Sequence, residues 1–302
     1  MERRDLTKFA WLSIFAAVLT IGLKFSAFWL TGSVGLLSDA LESLINLAAA
    51  VIALLLLRLS LRPPDHDHAF GHDKAEYFAS GIEGALIIVA AVGIAWAAAA
   101  RLVAPQPLEQ VGIAVIISSV AAVINLIVGL ILIRTGRRHD SITLEADGKH
   151  LITDVFTTAG VIVAVGLVSV TGWLFLDPLV GLLVAANIVW TGVQLMRRSA
   201  LGLMDTAVSP RQHSLIVSVL DRYSSERKID YHALRTRRSA ARTFISVHIL
   251  VPGRWTVHEG HNLLEKIEAD IRAQISGAVV FTHLESLDDP ASWDDIELDR
   301  EF

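Results

Sequence analysis

Two pairs of side chains with the same spacing stand out in a chain that is otherwise largely apolar. Glu42 and Asn46 lie four residues apart in "SDALESLIN", and His150 and Asp154 lie four apart in "EADGKHLITD". On a helix each pair projects from one face. Two such helices packed together would converge four oxygen and nitrogen ligands, a number and mixture that suits a tetrahedral divalent ion such as zinc. Hydrogen bonding between helices is the competing reading of the same side chains. Asp39 stands one turn before Glu42 on the same stretch.

Two further groups have ligand chemistry. In "PPDHDHAFGHDKAE", Asp65, His66, Asp67, His68, His72 and Asp73 crowd together, either as a solvated polar loop or as a metal-binding one. Nearer the C-terminus, His248 falls mid-strand by pattern, and His283 and Glu285 are two apart, hence on one face of their strand. His258 and His261 share a helix face, and His232 opens another strand. The chain has 11 histidines and no cysteine, so thiolate metal sites and disulfides are excluded and imidazole is the main soft ligand.

The elements that must position these groups follow from the distribution of apolar residues. Of the 302 residues, 53% are hydrophobic, which points to a membrane class. Apolar runs at Phe9–Leu30, Val34–Leu57, Tyr77–Ala100, Val111–Ile133 and Leu174–Met196 approach or exceed the roughly 20 residues that cross a bilayer as helix. A sixth, from about Ser141 to Val170, is polar in its first half. Basic residues alternate with these runs. Arg3, Arg4 and Lys8 precede the first, Arg58 and Arg62 follow the second, Arg134, Arg137 and Arg138 follow the fourth, and Arg197 and Arg198 follow the sixth. The other connections are short and nearly free of Lys and Arg. Six spans with both termini cytosolic satisfy that pattern, and Trp29, Trp96 and Trp173 fall at the outer ends. The first run carries Lys24 and lacks a small-residue cleavage site, so it reads as a retained helix rather than a signal peptide. The net charge of −5 gives no footprint for nucleic acid.

After Asp205 the composition becomes that of a soluble domain. The patterns predict helix, strand, strand, helix, strand at Arg211–Tyr223, Tyr231–Arg238, Thr243–Val251, His258–Ile275 and Ala278–Leu284. That order suits a small open sheet with both helices on one face. The expected division is residues 1–205 as a six-span transmembrane domain, 206–290 as a cytosolic domain carrying the His/Glu group, and 291–302 as a disordered acidic tail.

Three motifs carry a resemblance to a known family: His150 and Asp154 in the fifth span, the loop "DHDHAFGHDKAE", and "HALRTR" from His232. The chain resembles the cation diffusion facilitators, within them the bacterial zinc and ferrous-iron efflux branch. The resemblance implies six spans, a ferredoxin-like α+β cytosolic domain, a homodimer in the cytoplasmic membrane and proton-coupled export. By position it implies a transport site of Glu42, Asn46, His150 and Asp154, with Asp39 behind it. It implies a loop site of Asp65, His68 and His72, and a binuclear cytosolic site of His232, His248, His261, His283 and Glu285, with His258 outside the pattern. Glu285 stands where relatives often carry Asp. The zinc branch usually supplies Asp or His followed by Asp in the second span. Glu42 and Asn46 leave two formal negative charges at the site instead of three, which puts the choice of metal in doubt.

The expected function is therefore antiport of divalent cations, Zn(II) foremost, against protons, with Fe(II), Cd(II), Co(II) and Mn(II) as alternative cargoes. A membrane-anchored metal sensor or storage protein is a rival that needs no ligands inside the membrane. A membrane hydrolase acting through metal-bound water is another, but no nucleophile–base grouping or phosphate-cradling loop is present, and no enzymatic activity is expected.

Overall fold

The computed structural model describes residues 6–31, 34–103, 111–173 and 175–294, with side chains for most of these but not for Asp39, Glu42 or Asn46. The chain divides into two compact units, Glu2–Ala200 and Leu201–Phe302.

The first unit is built of long helices: α1 (Thr7–Thr31), α2 (Val34–Ser60), α3 (Ala75–Val103), α4 (Val111–His139), α5 (Ile142–Thr171) and α6 (Leu176–Leu203). Most extend past the apolar runs at their basic ends, where charged residues tolerate water and helix formation need not stop with the lipid. Among the described residues, Thr7–Ser26, Ala75–Val103, Ile116–His139 and Pro178–Leu203 are long and apolar enough to cross a membrane. Trp29, Trp96 and Trp173 are exposed, as side chains at a lipid boundary would be.

The α4–α5 seam decides where polar groups meet. A Cβ added at Gly148 would lie 2.8 Å from the Gly129 carbonyl oxygen, and one at Gly136 would lie 2.7 Å from the Glu145 nitrogen. Only hydrogen fits there, so the two backbones approach closely, in the manner of small-residue packing in membranes.

The second unit has the expected α-β-β-α-β order: α7 (Pro210–Arg227), β1 (Asp230–Ser239), β2 (Arg242–Val251), α8 (Val257–Gln274) and β3 (Ala278–Ser286). Both helices start with full capping boxes, Ser209 with Gln212 and Thr256 with Glu259, which satisfy the first orphan N–H groups. The sheet order is β1-β2-β3, with β1 antiparallel and β3 parallel to β2. Ile245, Val247, Ile249 and Val251 alternate along β2 into a core with Ile216, Leu220, Leu263, Ile267 and Ile271 from the two helices. The other face of β2 is left for His248. At the start of the acidic tail a 3₁₀ turn forms over Pro290–Trp293, with Asp289 as its N-cap and Ser292 buried; the rest of the tail expected to be disordered, from residue 295, lies outside the described residues.

Candidate metal centres

Strand register builds the most complete cluster. His232 pairs with His248 across β1 and β2, and His248 pairs with His283 across β2 and β3, so three imidazoles form one row across the sheet. Adjacent ring centroids are 5.1 and 5.0 Å apart. Register slips just after His232, between it and Arg235, where Ala233 takes φ 49°. Such a bulge re-aims neighbouring side chains. Glu285, two residues beyond His283, reaches back over the row: Oε2 lies 2.8 Å from His232 Nε2, and Oε1 lies 3.0 Å from His248 Nδ1 and 3.5 Å from His283 Nε2. Glu285 and His232 are almost wholly buried, whereas the His283 side chain is 65% exposed.

His232, His248 and Glu285 form a group able to hold one ion. Around tetrahedral zinc, with bonds of about 2.0–2.1 Å, ligand atoms stand about 3.3 Å from one another. The spacing of these donors is already close to that, and two imidazoles with one carboxylate are ligand types zinc accepts. His261 lies exposed on α8 and is not brought into this group, and His283 stands at its edge. Trp293 was not anticipated here, yet its ring sits edge-on to His232 with centroids 5.6 Å apart.

The loop between α2 and α3 brings Asp65, His68 and His72 together. Asp65 Oδ1 accepts from the His68 backbone N–H at 2.8 Å and lies 3.1 Å from His68 Nδ1, while Oδ2 lies 3.2 Å from His72 Nε2. Gly71 makes the turn possible at φ 88°, a conformation that a Cβ disfavours. Partial desolvation pushes the Asp65 carboxyl up, but the His68 N–H and the His68 and His72 rings outweigh it and hold the carboxyl below its ordinary value. Asp65 and His68 are both about half exposed, so water competes for this site. His66 and Asp67 point fully into solvent.

In the helical unit, His150 is buried and Asp154 half-buried on α5. The close α4–α5 seam brings Asn125 against Asp154, its Nδ2 donating to Asp154 Oδ2 at 3.3 Å. Asn125 sits in a run that reads as plain apolar helix. Its one signal is being the lone amide in that run. Glu42 and Asn46 are carried on α2, and their side chains, with that of Asp39, lie outside the described residues. Beside them, Lys24 Nζ of α1 donates to Ser43 Oγ at 2.8 Å.

A long apolar bundle with His and Asp in its interior, followed by a soluble domain with a His/Glu cluster, is the setting for the comparisons with known proteins. Residues 10–204 match the model of the cation efflux transmembrane domain, and residues 210–287 match that of the cation efflux protein cytoplasmic domain. The chain belongs to the cation diffusion facilitator family. Among its relatives is an uncharacterised transporter of Synechocystis sp., 50% identical, the match covering 97% of this chain and 94% of the relative. The cation-efflux pump FieF of Klebsiella pneumoniae is 30% identical over 89% of this chain and 88% of its own length. That of Shewanella oneidensis is 30% identical over 90% of both. The protein is thus a membrane-embedded cation efflux transporter, with divalent metal cations as its substrates.

Proposed function

We propose that the protein exports divalent metal, zinc foremost, across the cytoplasmic membrane in exchange for protons, working as a homodimer with six spans and both termini in the cytosol. The observation that carries this reading is the buried His150 and half-buried Asp154 on one face of α5. Ionisable groups inside a membrane bundle are costly and mark ion paths. Glu42 and Asn46 complete the transport site from α2, with Asn125 holding Asp154 in place until the ion arrives.

Coupling follows from ligand chemistry. Metal needs a neutral His150 and ionised Asp154 and Glu42, so binding expels protons, and protons entering from outside displace the ion. Asn46 contributes a neutral carbonyl oxygen, so two carboxylates balance one divalent cation. The cluster of His232, His248 and Glu285, joined by His261 and His283 when two protomers meet, is a resident metal site that stabilises the dimer. The loop group of Asp65, His68 and His72 is a more exposed, faster-exchanging site.

The test is competitive flux of zinc, iron(II), cadmium, cobalt and manganese in proteoliposomes under an imposed pH gradient. Zinc transport that follows the gradient is expected. Absence of any metal flux with intact metal binding would favour a sensor or storage protein.

A further inference from the structure

Two acids in the helical unit take no part in the sites above. Glu83 of α3 and Asp147 of α5 are 1% and 2% exposed. Ser13 Oγ of α1 donates to Asp147 Oδ1 at 2.9 Å. Among the described residues, Asp147 Oδ2, both carboxyl oxygens of Glu83 and the hydroxyl of Ser80 have no hydrogen-bond partner. Ser80 is wholly buried and lies three residues before Glu83, hence on the same face of α3. That side of α3 packs on α5, and Ser141 Oγ, just before α5, donates to Glu76 Oε2, one turn earlier, at 2.5 Å. The two acids are close enough to feel each other's charge.

No lysine or arginine among the described residues pairs with either acid. The neighbouring cations are engaged: Lys149 and Arg198 bind Glu145, and Lys24 of α1 reaches Ser43. From α1 the uncharged Ser13 meets Asp147, and from α5 the titratable neighbour among the described residues is His150, which acts on Asp147. Two unpaired carboxylates in such surroundings are prohibitively costly, and the ordinary escape is protonation. Which acid takes the proton is decided by the donors. Asp147 has the Ser13 hydroxyl to stabilise its anion, whereas Glu83 has no donor among the described residues. With only oxygen ligands and a hydroxyl to complete it, the place suits a proton or a hard cation, not zinc.

We propose that Glu83 is a proton-binding site of the transport cycle, neutral at rest and charge-coupled through Asp147 to the ion at His150 and Asp154. Asp147 lies three residues before His150, one helical turn away. A divalent ion arriving there raises the positive potential around Asp147 and Glu83 and favours loss of the Glu83 proton. Protonation of Glu83 in turn weakens the hold on the ion. The inference rests on the reading of α5 as part of the ion path.

The full-length protein in lipid, followed by infrared spectroscopy, separates this inference from that reading. At neutral pH the wild type should show the carbonyl stretch of a protonated carboxyl group that weakens when zinc is added. Glu83→Gln, a neutral isostere, should remove that band, while Asp147→Asn should leave a protonated carboxyl in place. In proteoliposomes, Glu83→Gln should make zinc flux less steeply dependent on the pH gradient, by about one proton per ion. A spectrum unchanged by Glu83→Gln, or a band indifferent to zinc, overturns the proposal. Manganese bound in the wild type and lost in Glu83→Gln, with no band, would make it a cation site instead. Wild-type flux indifferent to the pH gradient would overturn proton coupling itself, whatever the band does.

Discussion

At the sheet, His232, His248 and Glu285 are fixed by strand register, and carboxylate and imidazole atoms already stand 2.8 and 3.0 Å apart. In the bundle, His150 and Asp154 both project from α5, and Asp154 accepts from Asn125 Nδ2 of α4 at 3.3 Å. Hydrogen-bonded neighbours on adjacent strands cannot separate without breaking the ladder. Two helices meeting through glycines can slide or tilt at modest cost. Under the proposed function, a centre of the first kind would hold its ion in place, and one of the second kind would open to either face of a membrane, as alternating access demands. Similar ligand types thus suit retention in one unit and passage in the other.

The contrast can be broken or sharpened in four ways, taken from the largest effect downward. At the sheet, Glu285→Ala would leave two buried imidazoles without the carboxylate that balances the ion. Removing one partner of a buried charge pair costs about 3–5 kcal/mol, so zinc affinity there should fall by roughly two to four powers of ten. Equilibrium dialysis of the purified protein measures this, and a drop below tenfold would mean that Glu285 is not a ligand.

In the bundle, Asn46→Asp adds a carboxylate to the proposed transport site. A net gain of about 1–3 kcal/mol corresponds to zinc binding tighter by roughly ten- to a hundredfold, with slower release. Titration calorimetry at two pH values reads it, and unchanged or weaker binding at both removes Asn46 from the site. Gly148→Ala attacks the seam instead of the ligands. Its new methyl meets the Gly129 carbonyl and Ile133 Cγ1 at 2.8 Å, and such overpacking costs about 1–3 kcal/mol. Flux should fall about tenfold while zinc binding at the sheet is untouched; equal loss at both sites would mean general misfolding.

The smallest effect belongs to the loop. Its Asp65 carboxyl is held below the ordinary value largely by His68 and His72, so the stability it lends the turn is present above the unfolded-state pKa and lost as pH falls through the lowered one. In His68→Ala that pKa should rise toward the ordinary aspartate value, as NMR titration of the carboxyl would report. No rise would mean that the backbone N–H and His72 hold it down without the His68 ring.

What could be read from the chain and what could not divide along the same line. His150 with Asp154, and His283 with Glu285, are local pairs whose shared faces follow from helix and strand periods, and the long helices follow from apolar length. The row His232–His248–His283 depends on the register of three strands and on a bulge at Ala233, neither of which spacing encodes. Ser13 meets Asp147 across 134 positions of sequence, and Asn125 meets Asp154 only because glycines on both helices let the backbones close up. Glu83 was hidden inside an apolar run that, by composition, was simply a span. The turn at Pro290–Trp293 was masked by its acidic surroundings.

The central claim is that ions pass through α5 and not through the sheet cluster. Zinc flux in sealed proteoliposomes, measured side by side for wild type, Asp154→Ala and His248→Ala at equal membrane abundance, tests it most directly. Asp154→Ala should abolish flux while keeping zinc bound at the sheet, and His248→Ala should lose bound zinc while keeping measurable flux. Near-normal flux through Asp154→Ala, or complete loss in His248→Ala, would contradict the account.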